Sequence, residues 1–324
     1  KLSFVCFILP HDGHSRSLGP IWHAIGMVKQ SFGNDINVAI VDCAVSENLC
    51  NEQSIKTFPT VTAVINGLII DRFSGKMEAS LLMDFIKQAA ERRQESSGAK
   101  HAIELQYFNT RGRAEAIRLT LAYLGLEYTD TRLPRDEWPK IKQDGTDRGD
   151  FTFGQIPFMQ FDEQKLVQSH AILRHLARIY SLYGKTRGDM ADIDIVAAGL
   201  EDFRAKYGAL AYNKNYKDHI DEYESETLPQ WLGYFERWMK DRASSELHFV
   251  GNTMTFVDLL AWDLLDVNLR SFPACLEAFP RLTAFYQTLP TTSTPLAKYI
   301  DSAVRKKTPQ NGSRAFFDNT VSSA

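Results

Sequence analysis

The sequence contains no pair of cysteines spaced CxxC, and only four cysteines in 324 residues: Cys6, Cys43, Cys50 and Cys275. That absence excludes both a zinc ribbon and a dithiol redox centre. No apolar run approaches the roughly 18–20 residues that cross a bilayer as a helix, so no membrane-spanning helix is expected. Basic charge is not in excess: 37 Lys and Arg stand against 40 Asp and Glu, a formal charge of -3. A general nucleic-acid binder concentrates basic charge on one surface, so no nucleic-acid partner is expected. What is present, 44% hydrophobic and 24% charged residues, is the balance of a globular chain long enough for two or three domains.

One absence is local. The stretch FILPHDGHSRSLGPIW, Phe7 to Trp22, reads as a strand, a proline, a polar turn and the start of a helix. That layout sets a reactive group at a helix N-terminus, where N–H groups and the helix dipole stabilise a thiolate. Yet the turn His11-Asp12-Gly13-His14-Ser15 carries no thiol. His11, Asp12 and His14 are metal-ligand types, but they lack a fourth ligand and a supporting shell, and no metal is expected. Cys43 and Cys50 flank a strand-to-helix connection; their spacing allows either a local disulfide or two separate thiols.

Residues 1–93 alternate short β-branched strands (Leu2 to Leu9, Val38 to Val41, Val61 to Ile65) with helices, and end in an amphipathic helix in which Leu81, Leu82, Phe85, Ile86 and Ala89 follow helical spacing. QESSGAK, Gln94 to Lys100, is small and polar and is expected to be a linker. A second α/β pattern occupies 101–183: a strand to Phe108, a helix to Leu124 that Gly125 ends, a hairpin near Phe158 to Val167, then a helix from Ser169. Residues 184–307 read as helical only. Within them Thr255 is an N-cap with Asp258 three residues on, Met254 and Leu259 forming a hydrophobic staple. The polar tail 308–324 is expected to be disordered. It contains the sequon Asn311-Gly-Ser, a weak signal.

The first pattern resembles protein disulfide isomerase domains. FILPHDGHSRSLGPIW matches their active-site segment, commonly FYAPWCGHCKxLAPxW, and VDCAVSENLC, TFPTVTAVINGLIIDRFSG and LMDFIK follow in order. The resemblance implies a thioredoxin-like α/β fold, a cis peptide at Phe58-Pro59 and a structural disulfide between Cys43 and Cys50. It also implies that a first strand and helix precede Lys1. Asp12 and Ser15 stand where that family has its two cysteines, and Cys6 where it has a buried Glu. Disulfide exchange needs an attacking thiolate and a resolving thiol, so no isomerase activity is expected. What remains is a binding module for a peptide or protein, with relatives in the secretory pathway.

The second pattern resembles the glutathione transferases, nearest to the sigma-type group that includes the glutathione-dependent prostaglandin D synthases. ELQYFNTRGRAEAIRLTLAYLG, DEWPKIK, FGQIPFM, LVQSHAILRHLA and GNTMTFVDLLAWD carry it, in order, over about residues 102–306. The resemblance implies the transferase fold, a thioredoxin-like subdomain followed by a helical one, with glutathione as co-substrate and a small electrophile as its partner. It makes Tyr107 the group that hydrogen-bonds the glutathione sulfur and Arg113 an electrostatic helper. Trp138 and Lys142 then hold the glycyl carboxylate, and Ile156 before a cis Pro157 holds the cysteinyl unit. Gln168 and Ser169 receive the γ-glutamyl carboxylate, and Asp202 reaches the γ-glutamyl amino group of a neighbouring subunit, which implies a homodimer. Such transferases are mostly cytosolic, against the secretory relatives of the first domain.

Three departures bear on this. The hairpin has Glu163 where Gly is common. Gln143 to Thr152 is longer than the usual loop, which is expected to displace Lys142. Arg204 and Ala209 stand where the prostaglandin synthase has larger apolar side chains, which is expected to change the electrophile pocket. A protein that keeps the fold for binding or structure without catalysis is the alternative reading. A retained Tyr107, Arg113 and Gln168-Ser169 argue against it.

Overall fold

The structure, a computed structural model, describes residues 2–27, 36–53, 55–65, 68–98, 101–242, 247–312 and 314–317. The chain divides into two compact units, Lys1–Lys100 and His101–Ala324.

In the first unit the order is β1 (Leu2–Ile8), α1 (Gly13–Met27), β2 (Ile36–Asp42), α2 (Glu47–Glu52), β3 (Thr60–Ile65), β4 (Leu68–Arg72) and α3 (Ala79–Gly98). The sheet runs β2-β1-β3-β4, with β1 parallel to β2 and antiparallel to β3. Strand alternation sends Leu2, Phe4 and Cys6 to one face, where they pack with Val61, Ala63, Leu18, Trp22, Leu82 and Ile86. Phe7 faces the other side, against Cys43, Cys50 and Ile55. Cys43 and Cys50 are joined in a disulfide. Part of the Gln94–Lys100 stretch expected as a linker is helical, because α3 continues to Gly98. Gln, Glu and Ser are tolerated in a helix that is already nucleated.

The second unit repeats the plan: β5 (Ile103–Phe108), α4 (Glu115–Leu124), β6 (Thr129–Leu133), α5 (Trp138–Asp147), β7 (Phe158–Phe161), β8 (Gln164–Val167) and α6 (Ser169–Ile179). Its sheet order is β6-β5-β7-β8, again with one parallel pair and two antiparallel ones. Gly125, at φ +66°, takes the left-handed turn that ends α4. Helices follow: α7 (Arg187–Ala211), a short α8 (Ile220–Glu222) leading through a π-turn at Tyr223–Thr227 into α9 (Leu228–Asp241), α10 (Phe256–Ser271), α11 (Pro280–Thr288), α12 (Thr294–Ile300) and α13 (Ala303–Lys307).

The centre of this helical half is α10, buried continuously from Phe256 to Asn268. Its start is fixed by the local chemistry legible in the sequence. The Asp258 carboxylate accepts the Thr255 N–H at 2.8 Å and the Thr255 hydroxyl at 2.9 Å, and its other oxygen takes the Phe249 N–H at 2.8 Å. Met254 and Leu259 are both buried in the same core.

The tail 308–324, expected to be disordered, is instead packed over its described residues, 308–312 and 314–317, and its remaining positions lie outside the described residues. Thr308, Gln310 and Asn311 are buried, and the Asn311 amide donates to the Tyr207 hydroxyl at 2.8 Å. The Phe316 and Phe317 N–H groups both reach the Ala211 carbonyl. Polar composition misleads here because the segment satisfies its backbone against the body of the unit, where composition alone shows no partner. An Asn311 amide held in this way is also unavailable as a sequon acceptor.

Candidate active site

The pairing of β5 with β7 stops at Gln106 opposite Phe158, so Tyr107 projects past the end of β7. Its half-buried hydroxyl accepts the Arg113 backbone N–H at 3.3 Å. Burial raises the phenol above its ordinary pKa, and the Arg113 N–H opposes this only in part. The phenol therefore keeps its proton at neutral pH and serves as a donor. Gly112 makes the approach feasible. It has φ +43°, and a Cβ there would stand 2.8 Å from the Tyr107 oxygen. The sequence signal for Gly112 is a Gly between the two arginines of TRGRA.

A cleft of about 430 Å³ opens beside this turn. Tyr107 is not among its lining residues; Phe108, its chain neighbour, and Arg113, whose N–H it accepts, both are. The rest of the lining gathers four other segments: Trp138; Gly154 to Pro157; Gln168 with Ser169; and Glu201. Both Phe58-Pro59 and Ile156-Pro157 are cis, and Ile156 presents itself to the cleft just before β7. Gln168 holds φ +69°, a conformation rare outside glycine, with its side-chain amide on Gln155 at 3.2 Å. Non-glycine residues in that region cluster where a ligand must be met in a fixed geometry. Ser169 follows as the first, buried residue of α6, so that helix turns its unpaired N–H groups toward the cleft, an arrangement suited to a carboxylate.

Trp138 opens α5, and its ring packs edge-on against Phe108 at 5.3 Å and tilted against Phe151 at 5.6 Å. Lys142 lies within α5, which continues to Asp147 and is followed by Gly149 at a positive φ. Its side chain lies against Gly154, a lining residue of the cleft, but Lys142 is not itself among the lining residues. A Cβ at Gly154 would come within 3.2 Å of the Lys142 ammonium.

Arg113 is less free than a lone electrostatic helper. Its guanidinium makes two bonds to Glu201, at 2.6 and 3.0 Å, and His170 lies 3.4 Å from the same carboxylate. Burial pushes the Glu201 carboxyl up, but hydrogen bonds and charge from His170 and Arg113 outweigh it and hold the group down at about 2. Glu201 was not singled out in the sequence. Its neighbour Asp202 is exposed on α7 and does not line the cleft of its own chain.

Two residues expected to shape the electrophile pocket do not line this cleft. Arg204 turns its guanidinium to Asp263 at 2.6 Å, with both side chains largely buried, because an unpaired buried carboxylate there would be costly. Ala209 lines a separate cavity near His219 and Tyr223. Tyr212, one turn beyond the end of their stretch and half exposed, is close enough to act electrostatically on both Tyr107 and Arg113.

Below the Tyr107 turn lies a buried ion network that sequence reasoning also missed. Arg305 bridges Glu115 at 2.8 Å and Asp266 at 2.7 Å, Arg111 reaches Asp266 at 3.2 Å, and Arg118 lies between Glu115 and Asp130. Its charges are opposed in sign throughout, which is what burial requires. Among the described residues no group of three His, Cys, Asp or Glu side chains is placed to hold a metal ion.

This geometry meets close relatives among known proteins. The family model for the glutathione S-transferase N-terminal domain matches residues 103–178, and that for the C-terminal domain matches 201–303. A glutathione S-transferase of Dirofilaria immitis is 35% identical over 209 residues, 64% of this chain and 97% of that one. The chain belongs to the glutathione S-transferase family. The transferase P 1 of Bufo bufo is 37% identical, over 64% of this chain and 95% of its own. Among solved structures, the pi-class transferase of Onchocerca volvulus is 33% identical with a TM-score of 0.61, covering 66% of this chain and 99% of that one. A sigma-class transferase of Fasciola hepatica is 28% identical with a TM-score of 0.55, covering 62% and 96%.

Ahead of that region in the sequence, a thioredoxin family model matches residues 1–88. In that unit the polar turn has been rebuilt as a helix cap. The Asp12 carboxylate accepts the Ser15 N–H at 2.7 Å, and the Ser15 hydroxyl accepts the Leu9 N–H at 3.3 Å. The hydrogen bond from the Ser15 backbone holds Asp12 below the usual carboxylate range. The site thus keeps an anion at a helix N-terminus, but a carboxylate cannot exchange disulfides. Cys6 does not substitute: it is buried, and burial pushes its thiol up to about 12.

Proposed function

We propose that the second unit activates glutathione for attack on small electrophiles. The observation that carries this reading is the Tyr107 hydroxyl, protonated and fixed by the Arg113 N–H, at the margin of a cleft that also holds an anion-receiving helix start. A free thiol has a pKa of about 8.5. A hydrogen bond that stabilises the bound thiolate by ~2 kcal/mol lowers this by about 1.5 units and makes roughly half of it nucleophilic at pH 7. Holding the electrophile beside that sulfur supplies the rest of the acceleration.

The other assignments follow the cleft. Gln168 and Ser169 receive the γ-glutamyl carboxylate, the Ile156 backbone before Pro157 pairs with the cysteinyl unit, and Lys142 with the Trp138 indole N–H takes the glycyl carboxylate. Arg113, paired with Glu201, acts mainly through its backbone N–H and by fixing Glu201 at the cleft. Asp202 completes the site of a second copy in a homodimer. Tyr212 faces the electrophile, which favours flat, apolar substrates. The motif likeness to the sigma-type group has a sigma-class structure beside it and a pi-class one at higher identity, so the electrophile pocket rather than a class label sets substrate choice.

The first unit acts as a redox-inactive docking module of disulfide-isomerase type, with the backbone at Phe58 positioned for an extended peptide. Its Cys43–Cys50 bridge favours an oxidising compartment for the chain. Conjugation of glutathione to an activated aryl chloride tests the central reading: turnover that Tyr107→Phe reduces about 10-fold or more supports it. Tight glutathione binding with no turnover would leave a binding protein in its place.

A further inference from the structure

Three successive N–H groups of the turn after β5 are each taken by a different acceptor. The Arg111 N–H donates to the Pro309 carbonyl at 2.8 Å, the Gly112 N–H to the Gln310 carbonyl at 2.9 Å, and the Arg113 N–H to the Tyr107 hydroxyl at 3.3 Å. The first two acceptors belong to the tail. The Arg111 side chain adds a bond from Nε to the Thr308 carbonyl at 3.1 Å. The tail is in turn anchored beyond this contact, by the Asn311 amide on Tyr207 and by the Phe317 ring against Tyr216 at 5.5 Å and Phe272 at 5.9 Å.

We infer that the described tail residues, 308–312 and 314–317, form a strap whose Pro309 and Gln310 carbonyls position the Tyr107 hydroxyl, so that the strap helps set the acidity of the bound thiol. The inference rests on the glutathione-activating reading and adds a positioning role for the tail. A turn held at 111 and 112 directs the next N–H, that of Arg113, at the phenolic oxygen. With that lone pair engaged, the phenol's own proton is left to point at the sulfur. Without the strap, two buried N–H groups lose their acceptors and the turn must rearrange to find others.

The strap does not act through its own charge. The charged and titratable groups acting on the Tyr107 hydroxyl are Arg113, Arg118 and Tyr212, none of them in the tail. Removing 308–324 takes out one cation and one anion, Arg314 and Asp318, and leaves the formal side-chain charge unchanged.

The test measures the apparent pKa of bound glutathione, by thiolate absorbance across pH, in the full chain, in a chain ending at Lys307 and in Asn311→Ala. The last loosens the strap without moving the chain's terminal carboxylate. Affinity for S-methylglutathione, which has no ionisable thiol, reports whether each variant is folded. The expected result is a thiol pKa raised by about one unit on truncation and by about half a unit in Asn311→Ala, with thioether affinity held within about two-fold. Folded variants whose thiol pKa stays at the full-chain value would overturn the inference. Loss of thioether binding in both would overturn it too, since the tail would then be a folding element. Tyr107→Phe in the same assay keeps the two ideas apart: a shift there with none in the strap variants sinks only the strap, while no shift there sinks the activating reading itself.

Discussion

At position 112 the backbone runs at φ +43°, and the space a methyl group would need is already occupied by the Tyr107 hydroxyl. Gly112→Ala is therefore expected to displace the phenol and lower kcat/KM for conjugation about 10-fold or more, approaching the effect of Tyr107→Phe. Unchanged kcat/KM in a folded Gly112→Ala protein would mean that the hydroxyl is not held where the reading needs it. Glu201 gives a second prediction. Its folded carboxyl sits at about 2, below its ordinary value of 4.5. A depressed carboxyl stabilises the fold above the ordinary value, and that contribution is lost as pH falls through about 2. The stability gap between the parent chain and Glu201→Gln, read by urea unfolding, should thus shrink as pH falls below about 4.5, and a gap that widened would contradict the assignment. Tyr107, Gln168 and Ser169 could be singled out from sequence because each sits in a short contiguous motif. The direction of the Arg204 side chain was not legible, because it is set by Asp263, 59 positions away.

Among the elements, the start of α10 was the easiest to read, since Thr255 and Asp258 act within one turn of each other. Asp258 is fully buried and takes three donors. Asp258→Ala should strip all three and cost about 2–4 kcal/mol in urea unfolding of the second unit, whereas a cost below about 0.5 kcal/mol would mean that the cap is dispensable. The tail lies at the opposite extreme. Nothing in Thr308 to Phe317 signals order, because its partners are backbone groups at Arg111, Gly112 and Ala211, which only the folded unit brings within reach.

At the scale of the whole chain, two copies of one sheet plan are joined in sequence, β2-β1-β3-β4 and β6-β5-β7-β8. Strand alternation was legible because it depends on local chemistry, whereas the cis peptides at Pro59 and Pro157 were expected only from the family resemblances. The units should also be separable in their stability. Opening the Cys43–Cys50 bridge returns a short loop's worth of entropy to the unfolded first unit and so costs about 2–3 kcal/mol of its stability. Reduction should lower the unfolding midpoint of the first unit and leave the conjugation rate within about two-fold; a matching loss of both would show the units to be coupled. The central claim is that one phenol ionises a bound thiol. Its most direct measurement is the absorbance of the glutathione thiolate on the intact protein at neutral pH, with and without the Tyr107 hydroxyl. A substantial thiolate signal that Tyr107→Phe abolishes is the predicted result, and an equal signal in both proteins would contradict it.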